Sequence, residues 1–123
     1  MRLARAILFV KDLRLMAEFY RSTFHLTPIE TTRTESWVEF DAEGAGFVLH
    51  AIPSHIADEI EITSPATPRE DCPVKLVFAV DDLATERERL EGLGIRIVQH
   101  PWGAFDGIDP EGNVFEVCTA RES

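Results

Sequence analysis

Glu116 is the one carboxylate in an otherwise apolar run, Val114-Phe115-Glu116-Val117-Cys118. The run follows Asp109-Pro110-Glu111-Gly112-Asn113, which reads as a tight turn entering a half-buried strand. Successive strand residues face opposite sides, so Val114, Glu116 and Cys118 share one face and Phe115 and Val117 the other. A carboxylate placed this way lies at a sheet rim or in a polar cavity, where it holds a cation, moves a proton or pairs with a charge. His50, within Phe47-Val48-Leu49-His50-Ala51-Ile52, offers an imidazole whose ordinary pKa near ~6.5 suits acid/base work. The plainer reading of a lone strand histidine is a satisfied core residue.

Other residues have plainer roles beside their functional ones. Trp37 and Trp102 are candidates to stack on a planar ligand, the alternatives being packing or a dimer contact. Glu35 and Glu39 read as solvated, and His25, His55 and His100 as surface residues. Cys118 lacks a basic neighbour in sequence, so a small buried thiol is expected and not a nucleophile. No Gly-rich phosphate loop and no Ser-His-Asp arrangement is visible.

The elements that must position these groups follow from periodicity. Residues 3–10 read as a strand with Ala6, Leu8 and Val10 on one side and Arg5, Ile7 and Phe9 on the other. Asp12 caps a helix whose Leu13, Met16, Ala17, Tyr20 and Phe24 form one apolar stripe ending near His25. Residues 29–34 are a weakly signalled edge strand. Residues 37–40 and 47–52 form a hairpin. Residues 53–73, with Pro53, Pro65, Pro68 and Pro73, read as a linker holding at most a short helix at 56–60. Residues 74–80 are the strongest strand. Asp82 caps a helix over 83–92, with Leu83 and Leu90 on its buried side. Strands at 95–98 and 104–108 lead to the closing element.

Bulk properties exclude several classes. A chain of 123 residues with 45% hydrophobic content has the size and core of one ordinary domain. The formal net charge of -10 disfavours nucleic acid and anionic membrane surfaces as partners. Cys72 and Cys118 form neither a disulfide framework nor a zinc motif, which fits a reducing cytoplasm. The apolar start is cut at Lys11-Asp12, too soon for a signal peptide of the usual kind. No stretch approaches the ~20 apolar residues of a membrane span.

The chain repeats itself once. Ile7-Leu8-Phe9-Val10-Lys11-Asp12-Leu13 lies over Val77-Phe78-Ala79-Val80-Asp81-Asp82-Leu83, and the strand before His50 over the strand before Glu116. Two βαβββ modules (about 1–52 and 74–123), strands leading into Val-x-Asp-Leu, and a closing Asp-Pro-x-Gly-x-x-x-Glu resemble the vicinal oxygen chelate superfamily of glyoxalases, bleomycin-resistance proteins and extradiol dioxygenases. The resemblance implies an α+β fold over 1–123, with curled mixed sheets around an open cup and helices outside. In metal-dependent members four cup positions bind a divalent ion, and these fall on Arg5, His50, Lys75 and Glu116. Alternation independently puts Arg5 with Ile7 and Phe9, and Lys75 with Val77 and Ala79.

Only His50 and Glu116 of these four are ligands. Arginine and lysine stay cationic, so no cofactor is expected and a divalent metal is disfavoured. Glu116 is expected to pair with Arg5 or Lys75. That pair either merely holds the cup together or leaves positive charge for an anionic small molecule, with His50 and Glu116 as candidate acid/base groups. The leading functional reading is therefore metal-free small-molecule binding by Arg5, His50, Lys75, Glu116, Trp37 and Trp102, in a cytoplasmic homodimer. The alternatives are a lyase, isomerase or dioxygenase-type enzyme, and an interaction module whose cup is filled by Phe9, Trp37 and Ile52.

Overall fold

The computed structural model describes residues 1–119. It divides into two compact units, Met1–Glu61 and the part from Ile62 onward.

The first unit runs β1 (Arg5–Val10), α1 (Leu13–Phe24), β2 (Thr27–Pro28), a 3-10 turn (Glu30–Thr32), β3 (Trp37–Asp41), β4 (Gly46–Ala51) and a short helix α2 (Ser54–Ala57). Its sheet has the order β1-β4-β3-β2, with β1 and β4 parallel and the other pairs antiparallel. The Asp12 side chain accepts a hydrogen bond from Leu15 N at 3.1 Å, capping α1. His25 closes the helix in the left-handed conformation, φ 54°. Met16, Ala17, Tyr20 and Thr23 are buried, with Tyr20 meeting Phe47 edge to face at 5.0 Å. The pairings Val38↔Leu49 and Phe40↔Phe47 put these residues on one face with Phe47, and all four are buried. The sheet thus uses one face for its core and leaves the other for Arg5, Ile7, Phe9, Trp37, Glu39 and His50.

The edge strand lies earlier than the expected 29–34. Thr27–Pro28 pair with β3, Ile29 N donates to Glu39 O at 2.8 Å, and the chain then turns at Glu30–Thr32. An edge is where proline is tolerated, since one side of the strand needs no donor.

The second unit repeats the topology: β5 (Leu76–Val80), α3 (Leu83–Gly92), β6 (Val98–Gln99), β7 (Phe105–Ile108) and β8 (Val114–Thr119), ordered β5-β8-β7-β6. Asp82 caps α3 through Thr85 N, and that hydrogen bond holds its carboxyl below the ordinary range. Leu90, Phe105, Phe115 and Val117 are buried. The strand expected at 95–98 shrinks to Val98–Gln99, because Ile95 N is taken by Leu90 O at the helix exit, 3.1 Å. The turn before β8 closes on Asp109, whose carboxylate accepts from Glu111 N and Asn113 N at 2.9 and 3.0 Å. Gly112 adopts φ +85° there, with its Cα against the Thr67 carbonyl, a position that only glycine fills without strain. No helix among the described residues is long and apolar enough to cross a membrane.

Candidate ligand site of the second unit

β8 carries Glu116 on the sheet face away from the buried Phe115 and Val117, opposite Val77 on β5 and Asp106 on β7. Lys75, immediately before β5, reaches this carboxylate: Nζ lies 2.9 Å from Glu116 Oε1 and 3.4 Å from Asp106 Oδ1. These contacts raise the lysine pKa, the hydrogen bond to Glu116 contributing most. Lysine is therefore an ammonium at neutral pH. The partner that the sequence left open between Arg5 and Lys75 is Lys75.

His100 completes the group, contrary to its reading as a surface residue. Its Nε2 lies 2.9 Å from Asp106 Oδ1 and 3.9 Å from Glu116 Oε1. The ring stacks on Trp102 at 4.3 Å and 6°. Three interactions hold it there. His100 N donates to Ala104 O at 2.9 Å, and Gly103 N to His100 O at 3.2 Å. Gln99 Nε2 bridges the carbonyls of His100, Gly103 and Ala104. Nε2 is buried and makes no hydrogen bond, although Asp106 Oδ1 lies 2.9 Å away. Among the described residues, His100, Asp106 and Glu116 have three potential ligand atoms within 4.8 Å of one another. Sequence reasoning missed both His100 and Asp106. Alternation on 104–108 is a signal for Asp106, since it puts that residue on the face opposite Phe105.

Trp102 is 61% exposed, so the face of the indole away from His100 is open to a planar group. Cys118, on the predicted face of Glu116, is buried and forms no disulfide.

The first unit holds Arg5 and His50 on its open sheet face. Arg5 Nε donates to Glu39 Oε2 at 3.2 Å. Glu39 is thus nearly buried and paired, where a solvated carboxylate was expected, since its position opposite the buried Val48 keeps it at mid-sheet. Beside this pair is a cleft of about 360 Å³ lined by Arg2, Arg5, Glu39, Asp41 and Gly46 among others. His50 packs between Phe9 and Trp37, ring centroids 5.3 and 5.5 Å away. Trp37 itself is half-buried.

The register also corrects how the two halves superpose. Ile7 pairs with Val48 and Val77 with Glu116. With β1 laid on β5 as the repeat requires, Val48 occupies the place of Glu116, and His50 the place of Cys118. The groups that correspond are Arg5 with Lys75, and Glu39 with Asp106, which stand opposite Val48 and Glu116.

The repeated βαβββ order with two unclosed mixed sheets defines the vicinal oxygen chelate fold. A sequence profile of the Glyoxalase/Bleomycin resistance protein/Dioxygenase superfamily matches residues 2–117, and the chain belongs to that superfamily. No curated protein is a significant match. Among solved structures, a lactoylglutathione lyase from Agrobacterium tumefaciens is 21% identical, with TM-score 0.69 over 98% of this chain and 95% of that one. A glyoxalase/dioxygenase from Nostoc punctiforme is 17% identical, with TM-score 0.73 over 96% and 90%. A glyoxalase/bleomycin resistance protein/dioxygenase family enzyme from Burkholderia phytofirmans PsJN is 19% identical, with TM-score 0.70 over 95% and 97%. At these identities the likeness is one of fold.

Two of the four positions that the resemblance assigns to a divalent ion hold Arg5 and Lys75. Arg5 and Lys75 have no lone pair to give at neutral pH. Each is also committed to a carboxylate of its own unit.

Proposed function

We propose that this protein binds a small organic molecule without a metal, on the open sheet face of its second unit. The observation that carries this reading is the 2.9 Å contact between Lys75 Nζ and Glu116 Oε1. The protein's own ammonium supplies the positive charge that the carboxylate would otherwise draw from an ion. Trp102 offers an exposed aromatic wall, and Asp106, Glu116 and His100 offer acceptors beside it.

The anion assigned to Arg5 and Lys75 from sequence is already present as Glu39, Asp106 and Glu116. Two carboxylates face one ammonium in the second unit. One ammonium offsets only one of the two carboxylates, which favours a ligand with an amine or another hydrogen-bond donor beside a planar ring. We place the protein in the cytoplasm as a homodimer without nucleic-acid or membrane partners. The exposure of Ile7 and Phe9 on β1, 45% and 56%, supports self-association.

A thermal-shift screen of chelator-treated, tag-free protein tests the function. Planar amines are expected to raise the Tm, and Glu116→Ala or Trp102→Ala to abolish the shift. Stabilisation by divalent metals in place of organic molecules would overturn it. An enzyme reading is favoured by one feature, the His100 imidazole 2.9 Å from Asp106, which puts a candidate acid/base group beside a carboxylate. Turnover of a bound ligand that His100→Gln removes while binding persists would establish it.

A further inference from the structure

His100, Asp106 and Glu116 form a donor set of the kind that holds a first-row divalent ion, namely one imidazole nitrogen and two carboxylates. Such ions sit about 2.0–2.2 Å from each donor, so donors on one ion stand about 3–4 Å apart. The three atoms here lie within 4.8 Å of one another, with two of the separations at 2.9 and 3.9 Å. Nε2 of His100 is buried and makes no hydrogen bond, which is a costly state for an imidazole nitrogen unless something takes its lone pair or proton. Three protein donors also leave coordination positions open, as in sites where an ion meets a ligand. Two of the three residues, His100 and Asp106, lie outside the four family positions.

Lys75 intrudes on this set. Its ammonium touches two of the three donor residues, at 2.9 and 3.4 Å. A dication entering beside it would meet a fixed like charge at a few ångströms, and lysine cannot join as a ligand without losing its proton. The lysine side chain is 39% exposed, so solvent reaches it beside the group.

We infer that Lys75 closes a latent divalent-metal site formed by His100, Asp106 and Glu116, and that removing its charge opens that site to ions such as Zn²⁺ or Ni²⁺. This inference rests on the metal-independent reading of the same face, and makes Lys75 the residue that decides between organic ligand and metal.

The test is isothermal calorimetry with Zn²⁺, then Ni²⁺, on chelator-treated, tag-free wild type, Lys75→Met, Lys75→Gln and Lys75→Met/His100→Ala. Thermal melts confirm that each variant is folded. Both single variants are expected to bind one equivalent at least about tenfold more tightly than wild type, and the double variant to lose that gain. Lys75→Gln keeps a donor for Glu116, so it serves if Lys75→Met does not fold. If no protein binds metal, the inference falls and the metal-independent reading stands. If wild type binds as tightly as Lys75→Met, both fall. Binding that survives His100→Ala lies elsewhere and overturns the inference alone.

Discussion

Arg5 Nε and Glu39 Oε2, 3.2 Å apart on the open face of the first sheet, are the counterpart of Lys75 and Asp106 in the second. Each unit therefore carries a cation at or just before the start of its first strand and a carboxylate two strands away. The units differ at the strand between them, where the first has Val48 and the second Glu116. That single exchange turns a closed pair into a group with charge to spare.

The first pair depends on a glycine. A Cβ on Gly46 would meet Glu39 Oε2 at 2.6 Å and Arg5 Cγ at 3.2 Å. Gly46→Ala is expected to displace the carboxylate and lower stability by about 1 kcal/mol, the upper end for an ion pair whose arginine is half exposed. Adding Glu39→Ala removes the closest clash and leaves Arg5 Cγ and the Ala4 carbonyl oxygen at 3.2 and 3.3 Å, so the double variant should be less destabilised than the sum of the single ones. Urea denaturation of the four-member cycle measures this coupling.

Alkaline pH should erase the contribution of the second pair. Contact with Glu116 raises the Lys75 pKa above its ordinary 10.5. A raised folded-state value stabilises the fold fully below the unfolded value and is lost as pH rises through the folded one. Wild type should therefore be more stable than Glu116→Gln by under about 1 kcal/mol at pH 8–9, given solvent screening of a partly exposed lysine. The gap should close as pH passes upward beyond 10.5, in paired thermal melts.

Gly112→Ala should be among the most damaging single-methyl changes in the chain. It forces a side chain onto φ +85° and drives Cβ into the Thr67 carbonyl oxygen, which as backbone cannot swing aside. Arg69 N donates to Gly112 O at 2.9 Å and Arg69 Nε to Glu111 O at 3.0 Å, so the neighbouring segment is tied in place. A loss of about 2 kcal/mol or more is expected in chemical denaturation.

Two phenylalanines should behave oppositely. Phe115 is 1% exposed, and Phe115→Ala is expected to cost about 3–5 kcal/mol. Phe9 is 56% exposed, and Phe9→Ala should change monomer stability by no more than about 0.5 kcal/mol. If the homodimer uses that face, Phe9→Ala should also weaken self-association in sedimentation equilibrium.

Much of the fold was readable in the chain because its signals are local. Asp12 and Asp82 cap the helices that follow them, alternation marks β3, β4, β5 and β8, and the turn at Asp109–Asn113 needs glycine at one backbone position. The site was readable in part. Glu116 announces itself as a charge within an apolar strand. Asp106 does not, because a four-residue strand leaves little alternation to detect. His100 lies outside any regular element, where sequence carries no facing direction.

By itself, the sequence determined the duplicated βαβββ order, the superfamily that order resembles, and the cationic residue types at positions 5 and 75. Those are properties of residue type and short-range periodicity. Tertiary structure decided which charges meet. Register, which a shift of one residue would invert, gave Glu39 to Arg5 and set Asp106 opposite Glu116. A loop pinned by Gln99 then brought His100 to the same carboxylates. Such pairings depend on hydrogen bonds between strands far apart in the chain, and no local pattern records them.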